Sequence, residues 1–586
     1  CSDGPNGNSL QCGDGADASG TLGVTALGDN AVASGAQSTA VGENAEASGD
    51  ATTAVGEDTV ANADNTAALG NSADATAANA TALGTFAEAS GVDSVAVGYE
   101  SEATADYAIA LGGSASATSA NAIALGDEST ATGFGALALG ERAESSGGSA
   151  VALGRDSIAT DNAGVALGFV SNSAGTYSVA AGGYADALGD GAVAIGGDGS
   201  DGSLDGALAQ GTGAVSIGLD SASLTGDSIA LGARASVTGG ASIALGADAV
   251  STAAQATALG DAADAGSAQA TALGASSEAS GDDSTAIGAL SNASDAGATA
   301  LGYFSKANGV QSIAIGDSNN TNADGSIIIG ADVNVRAGAV NAIVVGTEAD
   351  ADDDGAIAIG GDGSDNGTEG AQATGLDAVA LGADSASSGE VSVALGGEAS
   401  ASALNAVSIG READANGANS FALGAFSGAG VGGVAVGSQA QAAGQTAIAL
   451  GRFGSAGGDN SVAMGLRADA SATNAVAIGR AADANGGNSF ALGAFSQAGA
   501  NGLAIGAQSQ ATGLASLALG RKASAISQNS VAIGRNASAD FFNSVAIGAG
   551  ATTSFAGQIL LGAASSFYTL PGLGDAANLI SVGDAG

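Results

Sequence analysis

Ser94-Val95-Ala96-Val97-Gly98-Tyr99-Glu100-Ser101-Glu102-Ala103-Thr104-Ala105-Asp106-Tyr107 is one copy of a 14-residue pattern that fills nearly the whole chain. It holds two short segments. The first, Val95-Ala96-Val97-Gly98, closes on glycine; the second has the form A-x-A and reads Ala87-Glu88-Ala89-Ser90-Gly91 just upstream. Both alternate with period two, which is strand spacing, and neither is long enough for a helix. The closing glycines stand at Gly28, Gly42, Gly56 and Gly70 and keep that grid to Gly196, resume from Gly218 to Gly330, and continue after small offsets to Gly562. There are 38 of them, and 32 of the 37 intervals match the period of the grid. So short a repeat, sustained this far, builds a stack of coils rather than a row of ordinary domains.

The fold class this predicts is an all-β parallel solenoid. Stacked coils rise about 4.8 Å each, so the repeats predict a rod on the order of 180 Å long. The second segment has one alanine face and one polar face. The first is apolar on both: Val, Leu or Ile on one side and Ala on the other, and a strand of that kind is covered on both sides. We expect the large face to fill a thin core against the alanines of the second strand. The alanine face of the first strand then points outward and is covered by another copy of the chain, which predicts a homo-oligomer. The glycine after each V-A-L turns the chain where φ is positive or close packing excludes a Cβ. A phosphate-cradling loop would need a helix after it, and none follows.

Composition narrows the function. Glycine is abundant (100 residues) without a G-X-Y period, so the chain is not collagen, and the aliphatic residues in every repeat argue against disorder. Histidine is absent. No Ser-His or Cys-His nucleophile and no histidine metal site can form, and no concave domain is evident to hold a catalytic carboxylate pair; we expect no enzyme and assign no cofactor or metal. No apolar run approaches the length that a membrane-crossing helix needs, so none is expected. Net charge is −47, unevenly placed: residues 1–410 hold 51 acids and 5 bases, residues 411–586 hold 8 and 7. Such a surface repels nucleic acid and anionic membrane. Outward acids at equivalent positions, such as Asp74, Glu88 and Glu102, are expected to stack as like-charge ladders that salt or divalent cations would screen.

Three places break the pattern. Residues 1–21 form an N-terminal cap in which Cys1 and Cys12 flank the turn-prone Gly4-Pro5-Asn6-Gly7. Two readings stand for Cys1: a disulfide to Cys12 that seals the first coil in an oxidising compartment, or, with Ser2 next, the acylated residue of a mature lipoprotein. The chain opens on this cysteine and its one methionine is Met464, as in a processed or trimmed product. Two intervals, Gly196–Gly218 and Gly360–Gly382, exceed the period by the same amount, and both open G-G-D-G-S-D. They predict outward loops near 197–210 and 361–374 carrying Asp198, Asp201, Asp362 and Asp365. The string resembles calcium-binding nonapeptide repeats, but each copy stands alone, so a protruding loop is the leading expectation and Ca²⁺ the lesser one. Glu348, Asp350, Asp352, Asp353 and Asp354 form an acidic cluster read as a solvated turn. Residues 563–586 are an exit segment.

The motif N-S-V-A-I-G stands at Asn529–Gly534 and Asn543–Gly548, with close variants at Asn460–Gly465, Asn474–Gly479, Asn419–Gly424 and Asn488–Gly493. With this motif in register, residues 22–562 resemble the head of the YadA-like trimeric autotransporter adhesins. The resemblance implies a left-handed parallel β-roll of about 38 coils, wound as a homotrimer. It implies display outside the bacterial cell, anchored to the outer membrane through a part not present in this sequence, and a role in virulence or biofilm. It also implies adhesion to host matrix, cells or surfaces, or cell–cell aggregation, with ligand contacts at Asn529, Ser530, Asn543 and Ser544. The alternative is a purely structural surface fibre or spacer. Most repeats lack the Asn of the motif and acids are dense, which weighs against collagen-type binding.

Overall fold

The computed structural model describes residues 1–3, 7–199, 205–363 and 369–563, in two compact units, Cys1–Gln311 and Ser312–Gly586. No α-helix occurs among the described residues. The coil plan is the same in both units: a three-residue strand, a turn, a two-residue strand or single bridge, and a second turn. Val95–Val97 pairs in parallel with Thr81–Leu83 on one side and Ile109–Leu111 on the other, each partner one repeat away. Glu88–Ala89 pairs in the same way with Asp74–Ala75 and Glu102–Ala103. Within each unit the coils therefore stack in a register set by the repeat length.

The direction of the first strand's faces is the reverse of the expectation. Ala96 and its ladder partners Ala82 and Ala110 are fully buried, as are Ala87 and Ala89 from the second strand. Alanine faces alanine across the coil. The larger side chains, Val95 and Val97 here, lie on the outside. The reason is width. Over most of the coils, two strands joined by turns this short leave room for little more than a methyl or hydroxymethyl group in a close-packed interior. The alanine seam is thus dry within one chain, and the column left wanting cover is the Val/Leu/Ile one.

Both turns need one residue in the left-handed region. Asn30 and Gln37, or Phe86 and Asp93, occupy it with φ between 56° and 60°. Asn and Asp tolerate that region; a β-branched residue such as Val170 (φ 54°) does so at a cost of about 1–2 kcal/mol. A buried Ser or Thr then closes the turn. Ser38 Oγ donates to the Gly35 carbonyl at 2.7 Å before a first strand, and Ser129 Oγ to Gly126 at 2.9 Å before a second.

Larger side chains enter the core at a few places, singly at Val24 and Val237 in unit 1 and as a group in unit 2. Unit 2 opens with two longer strands, Ile313–Asp317 and Ile327–Ala331, which run on through Gly316 and Gly330. Ile328, Val333, Val335 and Val344 are buried there, ahead of the end of a lengthened interval at Gly346. Asn319 lies among them, fully buried: its Nδ2 donates to the carbonyls of Ile315 (2.7 Å) and Gly330 (2.8 Å), and its Oδ1 accepts from the Val333 N–H (3.1 Å). Asn319→Ala strands all three backbone groups in an apolar setting. At about 1–3 kcal/mol for an orphaned group, we expect a loss of roughly 2–4 kcal/mol in urea unfolding, confined to unit 2.

The N-terminal segment differs in detail from a separate cap. Leu10–Cys12 already pairs in parallel with Thr25–Leu27, so the ladder begins inside residues 1–21. Ser2–Asp3 pairs antiparallel with Leu10–Cys12, and a disulfide joins Cys1 to Cys12. This short hairpin covers the first edge of the ladder, which would otherwise offer unpaired N–H and C=O groups to another chain. Gly4-Pro5-Asn6 and the exit segment beyond residue 563 lie outside the described residues.

Candidate functional site

Asn529 and Asn543 have φ values of 57° and 54°, so each supplies the left-handed residue of the turn entering a first strand. Asn529 Nδ2 donates to Asn543 Oδ1 at 2.9 Å, and a separate exposed amide ladder of the same kind links Asn460, Asn474, Asn488 and Asn501. Ser530 and Ser544 are buried and donate to the carbonyls of Ser527 (2.6 Å) and Phe541 (2.7 Å). The Asn-Ser pair therefore has a folding role: the asparagine sets the turn and the serine seals it. The serine hydroxyls face the coil interior, where no ligand reaches them.

The two insertions are built alike. Each leaves at the turn after a coil glycine, and its outgoing limb is pinned by an aspartate of the next coil. Gly199 N–H donates to Asp220 Oδ1 at 2.8 Å, and Gly363 N–H to Asp384 Oδ1 at 2.9 Å. Each returns through the same backbone bonds, Gly206 to Tyr184 and Gly370 to Glu348. Leu208–Ala209 and Gln372–Ala373 then resume the ladder in register. Gly206 and Gly370 thus rejoin the backbone ladder within the expected stretches 197–210 and 361–374. Asp198 and Asp362 stand on the outgoing limbs; Asp201 and Asp365 lie outside the described residues. Asp198, Asp205 and Asp220 bring carboxylate oxygens within 4.8 Å of one another. Asp220 is already engaged with the Gly199 N–H, and exposed acidic clusters form without an ion.

The acidic stretch after Gly346 is more structured than a solvated turn. Asp350 pairs with Gln372, and Arg336 Nη1 meets Asp352 at 3.1 Å. Asp332, Glu348, Asp350 and Glu369 line an open groove of about 320 Å³ around Arg336. The sequence offered no sign that Arg336 lay there.

The outward column of the second strand carries the like-charge ladder. Asp74 stands opposite Glu88, and Glu88 opposite Glu102. Burial, and then Glu88, push the Asp74 carboxyl above its ordinary value of 3.8. Asp186, Asp264, Asp350 and Asp483 hold the same position in their coils and are raised by burial as well. A raised folded pKa means that the native state holds its proton more tightly than the unfolded chain. The contribution is present near and below the ordinary aspartate value and disappears as pH rises through the raised one. We therefore expect the melting temperature to climb between about pH 7 and pH 4, and NaCl to raise it at pH 7. Asp156 and Asp248, held low by Arg142 and Arg234, work in the opposite direction below that range. A melting temperature indifferent to both salt and acid would refute the ladder's cost.

The outward column at the third residue of the first strand is apolar. In unit 1 it includes Leu83 (45% exposed), Leu111, Leu125 (38%), Leu139 and Leu153, and the register stacks Leu111, Leu125 and Leu139 one above another. Unit 2 continues the theme with Leu381, Leu395, Leu423, Met464 and Leu519. A contiguous apolar stripe of this kind marks an interaction surface.

The YadA head domain repeat (two copies) matches this chain in 21 segments between residues 25 and 553, among them 47–73, 265–291 and 525–553. Among solved structures, the crystal structure of the collagen-binding domain of the Yersinia adhesin YadA aligns with 33% of this chain and 80% of its own, at 22% identity and a TM-score of 0.18. Comparison with curated protein sequences gives no match. The matched repeats fall on the same coils that carry the glycine turn, the buried alanines and the sealed Asn-Ser turns, and on those grounds the chain belongs to the YadA head-repeat family of trimeric autotransporter adhesins.

Proposed function

We propose that the chain is the head of an adhesin displayed outside the cell, and that it works as a homotrimer in which the Val/Leu/Ile columns of the first strands are buried between sister copies. The observation that carries this is the apolar column itself. The coil interior is already filled by alanine, so these larger side chains do not serve the fold of one chain, and leaving them in water is unfavourable by roughly 25 cal/mol per Å². Trimeric assembly presents every remaining surface in triplicate. Shallow contacts then add through effective concentration to give firm attachment to matrix, cells or surfaces, or between like cells.

A purely structural fibre is the second reading, favoured by coils that repeat with little variation over long stretches. Purified protein applied to immobilised matrix proteins and to cells separates the two, with residues 197–206 and 361–370 each replaced by an ordinary two-residue turn in a parallel sample. Saturable retention supports the adhesin, and its loss on shortening a loop would place the contact there. Retention no greater than that of an inert rod of similar length and charge supports the fibre.

A further inference from the structure

The seven cations after residue 410 are Arg411, Arg452, Arg467, Arg480, Arg521, Lys522 and Arg535. Every one is the first or second residue after a coil glycine: Gly410, Gly451, Gly465, Gly479, Gly520 or Gly534. The coil register therefore places all of them on one turn edge of unit 2. Backbone bonds link successive turns of that edge, as from Arg467 N–H to the Arg452 carbonyl (3.0 Å) and from Phe495 N–H to Arg480 (2.8 Å). All seven side chains are exposed.

Two features separate this edge from a scattering of surface charge. First, it is not neutralised. Glu412 is its one acid and reaches Arg411 at 3.5 Å; among the described residues none of the other six cations forms an ion pair. The nearby acids Asp414, Asp469 and Asp483 lie beyond the turn, at the second-strand position. In unit 1 the corresponding edge behaves otherwise: Arg142 and Arg155 meet Asp156, and Arg234 meets Asp248 at 2.6 Å. Second, four of the six guanidinium groups stack on aromatic rings of the same edge. Arg411 lies 4.7 Å from the Phe426 centroid, Arg452 and Arg467 lie 4.8 and 5.5 Å from Phe453, and Arg480 lies 4.6 Å from Phe495. Stacking uses the face of a guanidinium and leaves its in-plane N–H donors pointing to solvent, where their fork matches a sulfate or carboxylate. Leu466, Arg467, Arg480, Ala481 and Phe495 line a shallow groove of about 290 Å³ within this stretch.

We propose that the edge from Arg411 to Arg535 is a binding surface for a linear anionic polysaccharide carrying sulfates or uronic carboxylates, laid along the coil stack. A column of cations repeating at multiples of about 4.8 Å fits a polymer with regularly spaced charge better than it fits one compact ligand. Beyond Glu412 the like-charge column has no counter-charge of its own, so a polyanion relieves repulsion as well as releasing bound ions. The chain's own guanidiniums already stack on these Phe rings and compete with nucleobases for them, which disfavours single-stranded nucleic acid. The acids of residues 1–410 repel such a polymer, so binding is confined to this stretch. The inference rests on the adhesin reading for the setting in which the polymer is met, but its test uses purified protein and does not depend on what the rest of the head binds.

The test is retention of the full chain on heparin, on hyaluronate and on neutral dextran, at about 50 and 200 mM NaCl. Binding to heparin or hyaluronate that weakens roughly tenfold or more between those salts, with none to dextran, is expected. Preference for heparin identifies sulfate as the recognised group, and equal binding identifies carboxylate. The variant Arg452→Gln/Arg467→Gln/Arg480→Gln should weaken retention by about tenfold or more, and Arg521→Gln/Lys522→Gln/Arg535→Gln should do the same independently. Arg142→Gln/Arg155→Gln/Arg234→Gln should leave it unchanged. Circular dichroism confirms that each variant keeps its β signal. No retention of the parent chain at low salt overturns the proposal. So does stronger binding to single-stranded DNA, and so does a result in which the first triple variant abolishes self-association and leaves polysaccharide retention intact, since the edge would then serve the acidic surface of a second copy. Loss of matrix or cell attachment with polysaccharide binding preserved would count against the broader adhesin reading alone.

Discussion

Gly98→Ala is expected to open the solenoid at its own coil, at a cost of more than about 4 kcal/mol in equilibrium unfolding. Gly98 has φ 142°, a region closed to L-residues, and a Cβ built there would lie 2.0 Å from the Gly112 carbonyl oxygen and 2.5 Å from its carbon. The obstacle is backbone, and that backbone cannot retreat freely, because the Gly112 N–H is bonded to the Val97 carbonyl at 2.9 Å. Moving Gly112 away loosens the next coil, whose own glycine stacks on it in turn. In a repeat protein stability is carried by contacts between nearest neighbours, so a defect in one coil breaks the stack into two shorter ones. Limited proteolysis should cut near residues 96–112, and hydrogen exchange should accelerate there first. Gly240→Ala supplies the control. A Cβ at Gly240 meets nothing within 4 Å, and the change should fall within about 0.5 kcal/mol of neutral. If the two variants unfold alike, the glycine grid is a compositional habit and not a steric requirement.

That grid was the most readable feature of the chain, because a glycine forced by geometry leaves the same mark in every copy. The two insertions were readable for the same reason, as excess length against a fixed period. The orientation of the first strand was not. Both of its faces are apolar, so hydrophobicity could not choose between them. What decides is coil width, which depends on turns that set two strands only a methyl group apart. The distinguishing mark lay in size and not in polarity. Ala82, Ala96, Ala110, Ala124 and Ala138 never vary, while their neighbours Thr81, Val95, Ile109, Ile123 and Leu137 do. Uniform smallness marks the crowded side, and variety marks the side where shape is less constrained. The folding role of the Asn-Ser pair was hidden for a different reason. A motif shared with adhesin heads invites a ligand role, while the structure shows Ser530 buried with its hydroxyl donating to Ser527 and Asn529 exposed in the left-handed region of the turn. The cationic edge of unit 2 was present in the sequence as a change in charge balance after residue 410. Only the stacking of turns showed that the bases share one line.

The combined substitution Leu111→Asp/Leu125→Asp/Leu139→Asp is expected to convert an assembled protein into folded single chains. These leucines stack in register on the outward column of unit 1 and are each close to 40% exposed. Covering what remains exposed of one such side chain is worth about 1–2 kcal/mol at 25 cal/mol per Å². Aspartate removes that gain and adds the cost of an unpaired carboxylate in an apolar seam, about 2 kcal/mol or more. Repeated at three positions in each copy, the loss exceeds the margin of most assemblies, and the association constant should fall by at least about a thousandfold. The fold of one chain should survive, because the substituted side chains point away from the alanine core and the backbone ladder is untouched. Ala110→Asp, on the opposite face of the same strand, should do the reverse and unfold the coil, since a carboxylate has neither room nor a partner there. Sedimentation equilibrium with circular dichroism reads both quantities. A parent chain that sediments as a monomer, or a triple variant that stays assembled, removes the apolar column from the interface and the trimeric head with it. Dissociation without loss of β signal in the triple variant, beside loss of β signal in Ala110→Asp, assigns the two faces of one three-residue strand to two different tasks: alanine to closing the coil and leucine to joining the copies.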